Sequence, residues 1–211
     1  MNAKYLLLAA PLALVGASPG HASVIFGDQT VNNGSVLDNV LIGNNQTGNP
    51  VTGTTNQGAV SVIFNSGTDT LLTSASGQAV ITALDGLLNS VTFTLAGGLV
   101  FTNFEFDLQQ SASSPQSVVL TTNLGNHTYL NMDGNGANWA GAASSGEFFN
   151  SVTWTGSGDG YTSMKQLRIG GITAAVPEPG TWAMMLAGLG GIAWALRRKN
   201  RVTTRARIRF A

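Results

Sequence analysis

The feature that most constrains this 211-residue chain is a series of short segments in which apolar and polar residues alternate. Val91, Phe93 and Leu95 alternate with Thr92 and Thr94. A period of two places the two sets of side chains on opposite faces of a β-strand. Strands with one apolar and one polar face are typical of antiparallel sheets that have one face in water. The alternation therefore predicts half-buried antiparallel strands.

Seven segments have the composition of strands, and turn-forming glycine and asparagine residues separate them. They are residues 60–64, 78–84, 90–95, 99–108, 117–122, 148–155 and 164–172. No helical periodicity of useful length appears between Ser23 and Ala175. We therefore predict one all-β domain, an antiparallel β-sandwich of jelly-roll-like arrangement. Residues 42–57 have few apolar anchors and are predicted to form a long loop.

The N-terminal segment has the pattern of a secretory signal peptide. Lys4 precedes an apolar run from Tyr5 to Ala17, and small residues occupy positions 20 and 22. This pattern predicts a signal peptide over residues 1–22 that is cut between Ala22 and Ser23. The expected mature domain then spans residues 23–175.

The charge of the predicted domain differs from that of the whole chain, which is formally neutral. Between Ser23 and Ala175 nine carboxylates face only two cations, Lys165 and Arg168, so the net charge is −7. An acidic domain has no basic patch for a phosphate backbone, which excludes nucleic acid as an expected partner. The chain contains no cysteine, which excludes disulfides and thiolate metal sites.

The C-terminal segment is apolar and then strongly basic. Thr181 to Leu196 contains no charged residue, and its sixteen residues make a helix of roughly 24 Å, against about 30 Å for a bilayer core. The cations that follow, beginning with Arg197, Arg198 and Lys199, favour a cytoplasmic location for residues 197–211. We predict one short transmembrane helix over 181–196 that is stopped by this basic cluster.

A sequence motif precedes the predicted helix. Pro177-Glu178-Pro179, the run from Trp182 to Gly190 and the basic stop resemble the PEP-CTERM sorting signal of Gram-negative bacteria that make exopolysaccharide. The resemblance covers residues 176–199, within a predicted sorting segment of 176–211. It implies cleavage by an exosortase, a membrane-embedded cysteine transpeptidase, followed by release or attachment at the cell envelope. Pro177, Glu178 and Pro179 would then be substrate residues. The alternative is an ordinary single-span anchor in which the prolines form a rigid linker.

Catalytic side chains are scarce in the predicted domain. His127 is its only histidine, so a hydrolytic triad or a multi-histidine metal site is not expected. Residues 105–110 resemble the E-x-D-x-x-E signature of jelly-roll endoglucanases, but Gln110 occupies the third carboxylate position. A two-carboxylate mechanism would need Glu147 nearby. The favoured interpretation is a solvated strand face carrying Glu105 and Asp107, and no enzyme is predicted.

Binding sites for ions and sugars have weaker signals. Asp133 and Asp159 are weak calcium candidates, because the glycine-rich segment near Asp133 lacks the full ligand set of an EF-hand. No metal or other cofactor is therefore predicted, although calcium remains an alternative. Trp139 lies between glycine-rich stretches and is predicted to be exposed, with Asn135 and Asn138 beside it, as a glycan-stacking residue.

Two functional hypotheses follow. The favoured one is an exported, non-enzymatic cell-envelope or extracellular-matrix protein, sorted by an exosortase and associated with exopolysaccharide or biofilm. Its expected partners are the exosortase, the cytoplasmic membrane before processing, and the polysaccharide matrix. The alternative is a carbohydrate-binding module or adhesin with a glycan site near Trp139.

Overall fold

The structure is a computed structural model that describes residues 24–27, 34–74, 77–111, 116–132, 138–144, 146–158, 160–175 and 179–200. The predicted signal peptide lies outside the described residues, as do its cleavage site at Ala22 and Ser23, the calcium candidates Asp133 and Asp159, and residues 201–211.

The described part of the chain is mostly β, and a single helix follows the strands. The strands are β1 Val24–Gly27, β2 Leu37–Ile42, β3 Gln46–Gly48, β4 Val51–Thr55, β5 Ser61–Asn65, β6 Leu71–Thr73, β7 Gly77–Gln78, β8 Val80–Ala83, β9 Ser90–Leu95, β10 Leu99–Val100, β11 Asn103–Gln110, β12 Gln116–Thr122, β13 Gly125–Met132, β14 Asn138–Ala143, β15 Ser151–Gly156, β16 Tyr161–Gly170 and β17 Thr173–Ala174. The helix is α1 Pro179–Asn200, and a single 3₁₀ turn, Ala96–Gly98, links β9 to β10.

The strands form a nearly closed antiparallel sheet in the order β1-β14-β11-β16-β2-β4-β5-β9-β15-β12-β13. β2 joins the two halves of this sheet, because its start pairs with β16 and its end pairs with β4 and β7. The two outermost strands meet through side chains. The Tyr129 hydroxyl donates to the Gly27 carbonyl at 2.9 Å, and the rings of Phe26 and His127 stack 5.2 Å apart.

The core forms where the two halves of the sheet face each other. Phe93 of β9 packs edge to face against Phe104 and Phe106 of β11, with ring centroids 5.7 and 6.0 Å apart. Phe101 and Phe149 complete this cluster, and all five rings are buried. Aromatic pairs in this geometry add about 0.5–1.5 kcal/mol each to the free energy gained by burying their area.

The prediction of an all-β antiparallel domain is confirmed, and β9 occupies the residues predicted for it. The finer description as a jelly-roll-like sandwich stays a prediction, with which the facing halves of the sheet are compatible.

The long loop predicted over residues 42–57 is wrong, because β3 and β4 lie within it. In β4 the inward positions are Val51, Gly53 and Thr55, a pattern too weakly apolar to read as alternation. A Cβ at Gly53 would lie 2.8 Å from Cγ1 of Val40. Close packing against β2 therefore requires a glycine at position 53. Because this inward position has no apolar side chain, the alternation that would have predicted β4 is missing from the sequence.

The side chains of α1 are exposed from Met184 to Arg197, including those of Leu186, Ile192 and Trp194. Among the helices of the described residues, none combines the length and the apolar character needed to cross a membrane. The predicted transmembrane helix over 181–196 is therefore not supported, although a helix does occupy those residues.

Candidate functional site

The carboxylates of β11 face the two cations of the domain. β11 and β16 pair with unequal spacing at this point. Lys165 and Arg168 are three positions apart on β16, whereas their partners Asp107 and Glu105 are two positions apart on β11. The extra residue forms a β-bulge in which Gln166 has the left-handed φ of 54°. This bulge places Arg168 opposite Glu105 and Lys165 opposite Asp107. Both cations of the predicted domain are therefore directed at one pair of carboxylates.

Glu105 is held in an ion pair. Its side chain is only 4% exposed, and Nη1 of Arg168 donates to its Oε1 at 2.8 Å. Nε of Arg168 donates to Oδ1 of Asn39 at 3.0 Å, and the same oxygen accepts from Nε2 of Gln78 at 3.2 Å. Asn39 and Gln78 thus fix the guanidinium against the carboxylate.

Asp107 has fewer partners than Glu105. It is 7% exposed, its Oδ2 accepts from Nε2 of Gln109 at 3.1 Å, and its Oδ1 has no hydrogen-bond partner among the described residues. Burial raises the pKa of Asp107 and outweighs the opposing effects of Gln109, Lys165 and the Leu108 amide. The charged form of this carboxylate is therefore disfavoured in the folded protein.

The solvated strand face predicted for Glu105 and Asp107 is wrong, because both residues are buried. They do lie on one face, as their cross-strand partners show. The opposite face of β11 carries Phe104 and Phe106 in the core, so the strand is covered on both sides. Alternation alone does not distinguish a solvent-exposed polar face from a buried one. The sequence did contain one sign of ion pairing, because Lys165 and Arg168 are only three residues apart.

We expect Asp107→Asn to stabilise the protein at pH 7 by about 1 kcal/mol, because it removes a buried charge that is only partly hydrogen-bonded. The sign follows from the raised pKa: the protonated wild-type carboxyl favours folding below the unfolded-state value of 3.8, and this contribution is lost as pH rises through the folded-state pKa. The gain should therefore disappear towards pH 3.8. Urea unfolding of both proteins between pH 3 and 7 measures it, and a pH-independent difference would contradict the argument.

Trp139 is not the exposed residue that the sequence predicts. It lies in β14 opposite Phe106, is 1% exposed, and packs edge to face on Tyr129 with centroids 4.7 Å apart. Its face is therefore closed to a sugar ring. Asn135 lies outside the described residues, and only the backbone of Asn138 is described, at the start of β14. Trp154 is also buried, and its Nε1 lies 3.2 Å from the sulfur of Met164.

His127 lies in β13, half-buried between the rings of Phe26 and Tyr129. Its neighbours are aromatic, which is the environment of a packed edge residue. Within the ranges that the structure describes, no group of three or more His, Cys, Asp or Glu residues is arranged to hold a metal ion.

The predicted sorting segment begins directly after the last strand. Ala174 of β17 pairs with Leu99 of β10, and Pro179 is the first residue of α1. Pro177 and Glu178 lie outside the described residues. Arg197 is exposed near the end of α1, and Arg198 and Lys199 belong to the same helix.

Comparison with known proteins bears on this segment. A family model described as the PEP-CTERM protein-sorting motif matches residues 175–199. No curated protein and no solved structure matches the chain. The motif supports an exported protein that is sorted by an exosortase. The chain therefore carries a PEP-CTERM protein-sorting motif at residues 175–199.

Proposed function

We propose that this protein is a non-enzymatic component of the cell envelope or extracellular matrix, exported, processed by an exosortase and associated with exopolysaccharide or biofilm. The observation that carries the proposal is the sorting motif over residues 175–199, which follows β17 without an intervening domain. The precursor is held at the cytoplasmic membrane during processing, and the β domain is the part that reaches the envelope or the medium.

The state of the two β11 carboxylates supports a non-enzymatic role. A glycosidase needs one carboxyl group to donate a proton and a second carboxylate to act as nucleophile or base, both in contact with the sugar. Glu105 is instead held in an ion pair with Arg168, and the Asp107 carboxylate is buried and cannot contact a polymer. Assays on a polysaccharide panel, with Glu105→Gln as the comparison, test this part of the proposal, and turnover that the substitution abolishes would refute it.

Processing is tested by the intact mass of the protein recovered from envelope and medium of its own host. We expect the mature chain to start at Ser23 and to end near Pro177, because the motif is the cleavage signal. Replacement of Pro177-Glu178-Pro179 by three alanines should leave a chain that retains α1 and the basic tail. A wild-type mass that extends to Ala211 would mean that the sorting segment is retained and would exclude exosortase processing.

A further inference from the structure

One outer face of the sheet carries no charge. β4, β5, β9, β15, β12 and β13 are consecutive neighbours, and none of them contains Asp, Glu, Lys or Arg. The carboxylates of the described residues all lie elsewhere, at Asp38, Asp69, Asp85, Glu105, Asp107 and Glu147. This neutral surface contrasts with the net charge of −7 of the predicted domain.

The antiparallel register aligns the outward side chains of these strands in rows across the sheet. The central row is Asn65, Thr92, Thr153, Thr121 and Asn126, with an amide at each end and three hydroxyls between them. One flanking row is Ser90, Thr155, Val119 and Thr128, and the other is Thr52, Ile63, Thr94 and Ser151. We call these three rows the threonine face.

The threonine face is ordered by its own contacts and by the core beneath it. The hydroxyls of Thr92 and Thr153 are 2.7 Å apart, and those of Ser90 and Thr155 are 3.1 Å apart. The inward residues of the same strands are buried, and Phe93 and Trp154 among them are fully buried. A hydroxyl that makes one hydrogen bond keeps capacity for another, since it offers one donor and two lone pairs. The face therefore presents positioned hydroxyl groups to an incoming ligand, with the side-chain amides of Asn65 and Asn126 at the ends of its central row.

The size of the threonine face argues against a protein partner. With strands about 4.8 Å apart and outward residues about 6.8 Å apart along each strand, it measures roughly 19 by 14 Å. That is roughly 270 Å², whereas a stable protein complex buries about 800 Å² on each partner. Its only apolar members are Ile63 and Val119, so a second copy of the chain would gain little from burying it.

The chemistry of the face matches a neutral glycan. An anionic polymer would find no cation there, and a cationic one no carboxylate. A chain of uncharged sugars presents hydroxyl donors and acceptors at regular intervals. A row of protein hydroxyls and amides can form hydrogen bonds with these groups. We propose that the threonine face binds a neutral polysaccharide chain laid along the central row. This inference rests on the proposed matrix function, for which it names the ligand class and the surface.

Affinity electrophoresis of the full chain tests the inference, with dextran, amylose or a soluble β-glucan as neutral probes and alginate as the anionic one. We expect at least one neutral probe, and not alginate, to retard the wild type. Thr121→Glu, which puts a charge in the central row, should weaken binding by about tenfold, a change of about 1.4 kcal/mol. Thr121→Val keeps the β-branched shape, removes the hydroxyl, and should weaken binding by a smaller factor.

The matched control is Thr47→Glu, which places the same charge on an exposed threonine of β3, a strand that contributes no residue to the threonine face. It should bind as the wild type does, with mobilities corrected on gels that lack glycan. Absence of retardation by every neutral probe, equal retardation by alginate, or equal binding of the Thr121 and Thr47 variants would overturn the inference. If the protein is correctly processed but gives one of these results, the inference about the threonine face fails and the proposed function stands. If the protein shows the expected binding but is not processed, the proposed sorting fails and the inference about the face stands.

Discussion

Arg168→Leu is expected to destabilise the protein by about 2–3 kcal/mol, because it leaves the buried Glu105 carboxylate without its counter-charge. Breaking a fully buried pair costs about 3–5 kcal/mol, and the lower figure here allows for the Arg168 side chain, which is 38% exposed and screened by water. Urea denaturation at pH 7 measures the loss. A change below about 0.5 kcal/mol, the size typical of an exposed surface substitution, would contradict the role of the pair.

A double-mutant cycle isolates this interaction. Glu105→Gln removes the charge but keeps the shape of the side chain. The Arg168→Leu/Glu105→Gln double mutant should therefore lose less stability than the sum of the losses in the two single mutants. Lys165→Leu is the control, because Lys165 faces Asp107 without forming a salt bridge, and its loss should cost under about 1 kcal/mol. Additive single losses would mean that Glu105 and Arg168 are merely adjacent.

Gly141→Ala is the second large effect, with an expected loss of about 2–3 kcal/mol from overpacking. Gly141 lies directly opposite Phe104, and a Cβ there would stand 2.5 Å from Cε1 and 2.6 Å from Cζ of the phenylalanine ring. The ring cannot yield easily, because Phe93 and Phe149 hold it with centroids 5.7 and 5.2 Å away. The midpoint of urea unfolding reports the change.

A smaller ring partner should reverse the effect. In a Phe104→Leu background, the added Gly141→Ala substitution should cost much less than in the wild type, since the clashing atoms are gone. Gly43→Ala is the matched control: no atom lies within 4 Å of the added Cβ, so its stability should stay within about 0.5 kcal/mol of the wild type. A Gly141→Ala protein as stable as the Gly43 variant would show that the core relaxes around Phe104.

The local pattern of the sequence predicts the strands where alternation is clean. In β9 and β11 the large apolar residues recur every second position, and the strands form there. The signal fails where inward positions hold small residues. Positions 53 and 141 face the core and hold glycine because a side chain there would collide with Val40 or Phe104. Both of these neighbours belong to other strands. A pattern read along one segment contains no information about such neighbours.

The candidate site divides in the same way. The sorting motif is a contiguous recognition sequence, so residues 177–179 and the segment around them are readable without a fold. The β11 carboxylates, the burial of Trp139 and the threonine face depend on which strands pair and in which register. A one-residue slip in register would turn every side chain of a strand to the other face.

The sequence by itself determined the β class of the domain and the sorting motif, because period-two alternation and a contiguous motif are local properties of the chain. The tertiary structure decided that Glu105 and Asp107 are buried beside Arg168 and Lys165, that Trp139 belongs to the core, and that threonines from separate strands share one face. Burial and charge pairing depend on atoms that are distant in sequence, so only the packed sheet specifies them.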